Sequence, residues 1–125
     1  MAFDYYDRIT KDMGTAAINA ATAAATQLTA LYTGSTNAEA MPPVLTIGVT
    51  LMPGIDDYPK KTEITYVKDA KAVLAFARVN SITTLSIWAI QRDNSGCPGT
   101  GGSSRCPGIV QSTWEFSQIL QAFTS

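Results

Sequence analysis

Thr84-Leu85-Ser86-Ile87-Trp88-Ala89-Ile90-Gln91-Arg92-Asp93 is the stretch whose reading decides the fold. It is a short, mostly apolar run with β-branched and aromatic residues. It ends on a tryptophan and a polar cluster, and a glycine-rich loop between two cysteines follows directly. Such a run, bounded by polar and Gly/Pro signals, reads as a strand buried on both faces, the kind found in parallel sheets. In parallel α/β folds ligands collect at the carboxyl ends of strands, which makes Trp88, Gln91, Arg92 and Asp93 the place to look for a site.

Upstream, residues 65–79 carry Val67, Ala70, Leu74 and Ala77 at helical spacing, with Asn80 as the stop. Val44-Leu45-Thr46-Ile47-Gly48-Val49-Thr50-Leu51 reads as another buried strand, stopped by Met52-Pro53-Gly54 and preceded by a loop. Between them, residues 55–63 form a long connection of the sort that carries function, in which Asp56 and Asp57 read as turn residues. The alanine-rich residues 15–32 place Ile18, Ala21, Ala25, Leu28 and Tyr32 on one helical face, and Gly34 is positioned to end that helix. Met1-Ala2-Phe3-Asp4-Tyr5-Tyr6-Asp7 alternates like the last residues of a first strand. Downstream, Ser112-Thr113-Trp114-Glu115 has the form of a capping box, with Trp114 covering the start of a last helix whose buried face is Phe116, Ile119, Leu120 and Phe123.

The predicted order is strand, helix, strand, helix, strand, helix. This is an α/β chain of three consecutive βα units with parallel strands and right-handed crossovers, residues 1–34, 43–80 and 83–125, in one domain. Its 125 residues, 46% of them hydrophobic, suffice for one core. Helices on one face of three parallel strands leave the other face bare, although such sheets are found covered on both. Either the rest of a longer chain covers it, which is the expectation here, or a second copy does, or the open edges and face make the chain aggregate.

Composition narrows the chemistry. A net charge of −1 with scattered Lys and Arg argues against nucleic acid and anionic membranes as partners. The absence of histidine removes Ser-His-Asp chemistry and most zinc sites, so carboxylates are left as acid-base groups; no metal or other cofactor is expected. Cys97 and Cys106, closing the loop 97–106, favour a local disulfide and hence a secreted protein over free thiols or a metal site wanting four ligands. No apolar run reaches the ~20 residues of a membrane span, and the amino terminus lacks a signal-peptide pattern, which for an exported chain implies a mature or incomplete sequence.

Met1-Ala2-Phe3-Asp4-Tyr5, Gly48-Val49-Thr50-Leu51-Met52-Pro53-Gly54, Ala75-Phe76-Ala77 and, most specifically, Leu85-Ser86-Ile87-Trp88-Ala89-Ile90-Gln91-Arg92-Asp93 with its Cys-Pro-Gly loop resemble the last three βα units of bacterial family 18 chitinases. The resemblance runs over nearly the whole chain. It implies strands six to eight of a (β/α)₈ barrel, and chitin or N-acetylglucosamine oligomers as the partner. In that family the substrate's own N-acetyl oxygen attacks the anomeric carbon while a glutamate protonates the leaving oxygen, an exception to the two-carboxylate scheme. The acidic Asp-x-x-Asp-x-Asp-x-Glu motif that carries the glutamate is absent; Glu39, Glu63 and Glu115 are the only glutamates, and none is read at a strand end. The chain alone is therefore expected to be inactive, since losing a positioned acid costs ~10²–10⁴ in rate.

By the same resemblance Asp4 would hydrogen-bond the reacting N-acetyl group. Phe3 stands where the family has tyrosine, and Tyr5 is the candidate substitute. Trp88 would form the floor of the sugar subsite, and Met52 would point into the pocket or simply fill a gap. Without the resemblance Trp88 reads as core and Asp4 as a solvated carboxylate. Arg92 and Asp93 are read equally as substrate contacts and as structural groups pairing with each other or with a strand end. The alternatives to a chitinase portion are a non-catalytic chitin-binding or interaction protein that keeps the aromatic platform, and an unrelated exported α/β domain.

Overall fold

The computed structural model describes residue 5 and residues 7–33, 46–57 and 62–125. Within them the chain runs β1 (Lys11–Asp12), α1 (Met13–Thr33), β2 (Ile47–Leu51), β3 (Gly54–Ile55), β4 (Glu63–Thr65), α2 (Val67–Val79), β5 (Ile82–Ile87), a 3-10 turn (Ile90–Arg92) and α3 (Glu115–Gln121). The described residues thus form a mixed α/β domain of three helices and five strands. The expected first strand lies outside them except for Tyr5 and Asp7, as do Gly34, Val44 and Leu45.

Helix α1 begins two residues before the sequence reading puts it, because the Asp12 carboxylate accepts the Thr15 N–H at 2.8 Å and caps the free first turn. Its buried apolar residues are Met13, Ala17 and Ala21, not the whole expected face: of Ile18, Ala21, Ala25, Leu28 and Tyr32 only Ala21 is buried, and Ala25 and Tyr32 are exposed. The small Ala17 and Ala21 bring the helix close to α2 and β2. In α2 the Tyr66 N–H donates to the Asp69 carboxylate at 2.7 Å, and Ala70, Val73, Leu74 and Ala77 are buried.

Strands β2 and β5 are parallel and in register from Gly48↔Thr84 to Leu51↔Ile87. Val49 and Leu51 join Val73, Ala77, Phe116 and Leu120 in the core beneath the helices, and Leu85 and Ile87 pack against it. The other face is polar: Thr84 is exposed, and the Thr50 and Ser86 hydroxyls meet at 2.8 Å. This corrects the expectation of a strand buried on both faces. Side chains alternate along a strand, and the alternation places Gly48, Thr50, Thr84 and Ser86 together, so only one face is apolar. Strand β5 ends at Ile87, just before the tryptophan, and the chain then turns back: Arg92 N–H reaches Ala89 O at 2.8 Å and Asp93 N–H reaches Ile90 O at 3.1 Å.

A second correction concerns the long connection. Its two ends form a small sheet in the order β1-β4-β3, with β3 antiparallel to β4 and β1 parallel to it. Two- and three-residue strands leave no alternation to read in the sequence. Asp56 is buried just beyond β3, not on an exposed turn, while Asp57 is exposed. Gly54 makes the approach possible: with φ 78°, a Cβ there would lie 2.1 Å from the Pro107 carbonyl oxygen. That same oxygen accepts the Ile55 N–H at 2.8 Å.

Candidate binding site at the carboxyl end of the parallel strands

Strands β2 and β5 finish side by side, joined at their last rung by the Trp88 N–H donating to Leu51 O at 2.7 Å. Met52 and Trp88 therefore leave the sheet as neighbours. Their fates differ: Met52 is buried against Met13 and Ala16, while Trp88 is 58% exposed. The Trp88–Ala89 peptide is cis. Gln91 lies exposed on the 3-10 turn beyond it.

Tyr5 approaches from the start of α1. Its N–H donates to the Glu63 carboxylate at 3.0 Å, its hydroxyl donates to the Ala16 carbonyl at 3.3 Å, and Lys11 Nζ stands 4.7 Å from the ring centroid. Tyr5 and Met52 thus share Ala16 as a neighbour, and strand pairing sets Trp88 beside Met52. The Tyr5 hydroxyl is turned to the backbone of α1. Asp4 and Phe3 lie outside the described residues.

Arg92 and Asp93, left open between two roles by the sequence, are both structural. Arg92 is 2% exposed, and its guanidinium donates to the carbonyls of Pro53 (3.2 Å), Ile55 and Ser103. Burial pulls its pKa below the ordinary arginine value, while the charges of Asp56 and Asp57 push it back up. Asp93 is fully buried and accepts hydrogen bonds from the Phe116 N–H (3.1 Å), the Ser117 N–H (2.8 Å), the Ser117 hydroxyl (2.6 Å) and Gln111 Nε2 (2.8 Å). Neither bonds the other. Asp93 does for α3 what the local capping box does only in half: Ser112 N–H donates to the Glu115 carboxylate at 2.7 Å, but the N-cap residue is Trp114, whose side chain makes no capping bond.

Cys97 and Cys106 form a disulfide with Cα atoms 6.1 Å apart. The loop they close is also held from inside, by Arg92 on Ser103 O and by Asn94 Nδ2 on Arg105 O at 2.7 Å. Sequence reasoning missed this buried knot, and the signal was faint: an arginine directly after a strand, followed by a loop whose carbonyls need donors. It also missed Glu63, buried in β4. Elsewhere, a groove of about 360 Å³ runs along the outer edge of β5, between Thr84, Ser86 and Ile87 and the α3 residues Ser117 and Leu120. Among the described residues no cluster of His, Cys, Asp or Glu is arranged to hold a metal, and no helix is long and apolar enough to cross a membrane.

No family model matches the chain, and no curated protein matches it. Solved structures do. The chain is similar to the catalytic domain of a hyperthermophilic chitinase from Pyrococcus furiosus, with 26% identity and a TM-score of 0.78. It is equally similar to catalytic site mutants of active domain 2 of that chitinase, including mutants complexed with chito-oligosaccharides. In each case 99% of this chain is covered, and it spans 38% of the other's length. The fold is therefore chitinase-like, and the likeness supports a chitinase-related function. The relatives found are archaeal, so they do not speak for the bacterial branch of the resemblance.

Proposed function

We propose that this chain forms the carboxyl-terminal part of the cleft of a secreted chitinase related to bacterial family 18, equivalent to strands six to eight of its (β/α)₈ barrel, and binds β-1,4-linked N-acetylglucosamine polymers. The observation that carries this reading is Trp88, a large apolar side chain left 58% exposed at a strand's carboxyl end in a chitinase-like fold. Its indole is the sugar platform, Met52 backs it from below, and Gln91 is a polar contact at the rim. Asp4 orients the N-acetyl group that attacks the anomeric carbon; Tyr5 assists in place of the tyrosine that Phe3 replaces, which requires its hydroxyl to leave the Ala16 carbonyl. That one related structure holds chito-oligosaccharides supports the choice of ligand.

The general acid comes from outside this chain. Glu63 is buried and takes the Tyr5 N–H, Glu115 takes the Ser112 N–H, and Glu39 lies outside the described residues. The polar face of β2 and β5 is covered in this reading by the remainder of a barrel or by a second copy. The same glutamate geometry favours a second reading, a chitin-binding protein without catalysis.

The test is titration of the purified chain with chito-oligosaccharides, followed by tryptophan emission, alongside an assay for sugar release. Binding should be weakened about tenfold or more by Trp88→Ala, equivalent to ~1.4 kcal/mol or more, with no release of sugar. Unchanged affinity in Trp88→Ala would remove the platform, and turnover by the chain alone would remove the missing-acid argument.

A further inference from the structure

Trp114 is held in a conformation that its own side chain disfavours. With φ 64° and ψ 21° it sits in the left-handed region, which Gly and Asn take readily and a bulky residue takes only at a cost. Backbone hydrogen bonds fix it there: its N–H donates to Asp93 O at 2.8 Å, and its carbonyl accepts the Gln118 N–H at 2.9 Å. Neither bond needs an indole. Burial does not account for the ring either, since it is 48% exposed. A strained aromatic that caps nothing and packs only partly points to a role outside the fold.

Its position supplies that role. The start of α3 is tied by Phe116 and Ser117 N–H groups to Asp93, five residues beyond Trp88, so the helix begins at the same end of β5 that carries Trp88. Five residues of chain reach at most about 17 Å, and here they include a 3-10 turn that shortens them. Exposed Ile90 lies on this connection, and exposed Val110 precedes the Gln111 that also bonds Asp93. Indole is flat, rigid and amphipathic, suited to the C–H face of a pyranose at little entropic cost.

We infer that Trp114 is a second sugar-stacking platform, onto which a chito-oligosaccharide seated on Trp88 extends. The inference rests on the chitin-oligomer reading above and adds a length requirement: the ring stacked on Trp114 is a further ring of the oligomer seated on Trp88, so only longer oligomers gain from Trp114.

The chain has two tryptophans, so each can be watched alone. Trp88→Phe leaves Trp114 as the only indole reporter, and Trp114→Phe leaves Trp88. Both variants are titrated with chitin disaccharide and hexasaccharide, and affinity is measured separately in Trp114→Gly, which removes the ring while suiting the positive φ. The expected result is a hexasaccharide-dependent change in Trp114 emission and about a tenfold loss of hexasaccharide affinity in Trp114→Gly, with disaccharide affinity unchanged. A silent Trp114 beside a responsive Trp88 overturns this inference and leaves the proposed function standing. A responsive Trp114 beside a silent Trp88 moves the sugar site away from the strand end while keeping the second platform. Silence from both, in samples with native circular dichroism, overturns both.

Discussion

Trp88 and Arg92, four residues apart in the chain, invert the ordinary rule for their side chains: the indole is 58% exposed and the guanidinium 2%. An exposed tryptophan forgoes the burial that would make it stabilising. A buried arginine is tolerated only where its N–H groups are satisfied, and here three carbonyls from two separate segments do so. The contrast separates two kinds of residue in one motif. Arg92 and Asp93 hold the strand end, the cysteine loop and α3 together. Trp88 stands exposed beside that network.

The largest effect should come from breaking the buried side. Arg92→Met keeps much of the volume and removes every donor, leaving the carbonyls of Pro53, Ile55 and Ser103 without it. Loss of a buried, hydrogen-bonded charge costs roughly 3–5 kcal/mol. Trp88→Ala should change stability by no more than about 0.5 kcal/mol, as surface substitutions do, while weakening oligosaccharide binding about tenfold or more. Urea denaturation of both variants measures this directly. A destabilised Trp88→Ala with a stable Arg92→Met would reverse the assignment of roles.

Next in size is the disulfide. Closing the Cys97–Cys106 loop removes chain entropy worth about 2–3 kcal/mol for a loop of this length. Reduction should lower the urea midpoint accordingly. Because Arg92 and Asn94 grip the loop independently at Ser103 O and Arg105 O, the reduced protein should still fold and should keep its Trp88 emission change on adding oligosaccharide. A reduced chain that folds but no longer senses sugar would show that the loop, not the arginine, supports the platform.

The legible part of this molecule was the part with period. Alanine-rich spacing gave α1, the apolar run at Val49 and Leu51 gave β2, and the spacing of Val67, Ala70, Leu74 and Ala77 gave α2. What the sequence hid has no period: the two-residue strands at Lys11–Asp12 and Gly54–Ile55, and the close backbone contact that only Gly54 permits. Charge misled as well. Asp56, Glu63, Asp93 and Arg92 look like surface residues by type, yet all four are buried. Nothing local announces such a residue, because its partners come from tens of positions away, as Arg92 shows with Pro53 and Ile55. Trp88 was singled out because resemblance supplied what spacing cannot, and the left-handed conformation of Trp114 was hidden by a capping-box pattern.

The smallest effect tests the buried-versus-exposed contrast on two carboxylates of opposite behaviour. Asp69 is buried, and desolvation raises its pKa above 3.8, against the opposing Tyr66 N–H hydrogen bond and with help from the charge of Asp12. Asp12 is exposed, and the Thr15 N–H it accepts lowers its pKa. A raised carboxylate contributes stability that is fully present below its unfolded pKa and is lost as pH rises through the folded one. A lowered carboxylate contributes stability that is present above its unfolded pKa and is lost as pH falls through the folded one. Asp69→Asn keeps an oxygen for the Tyr66 N–H and cannot ionise, so its melting temperature relative to the parent should become more favourable as pH rises from about 3 to about 7. Asp12→Asn should drift the other way over the acid part of that range, since the parent gains a charged cap that the amide lacks. Parallel slopes for the two variants would mean that burial does not govern Asp69. Opposite slopes would extend to acidic side chains the division drawn between Arg92 and Trp88.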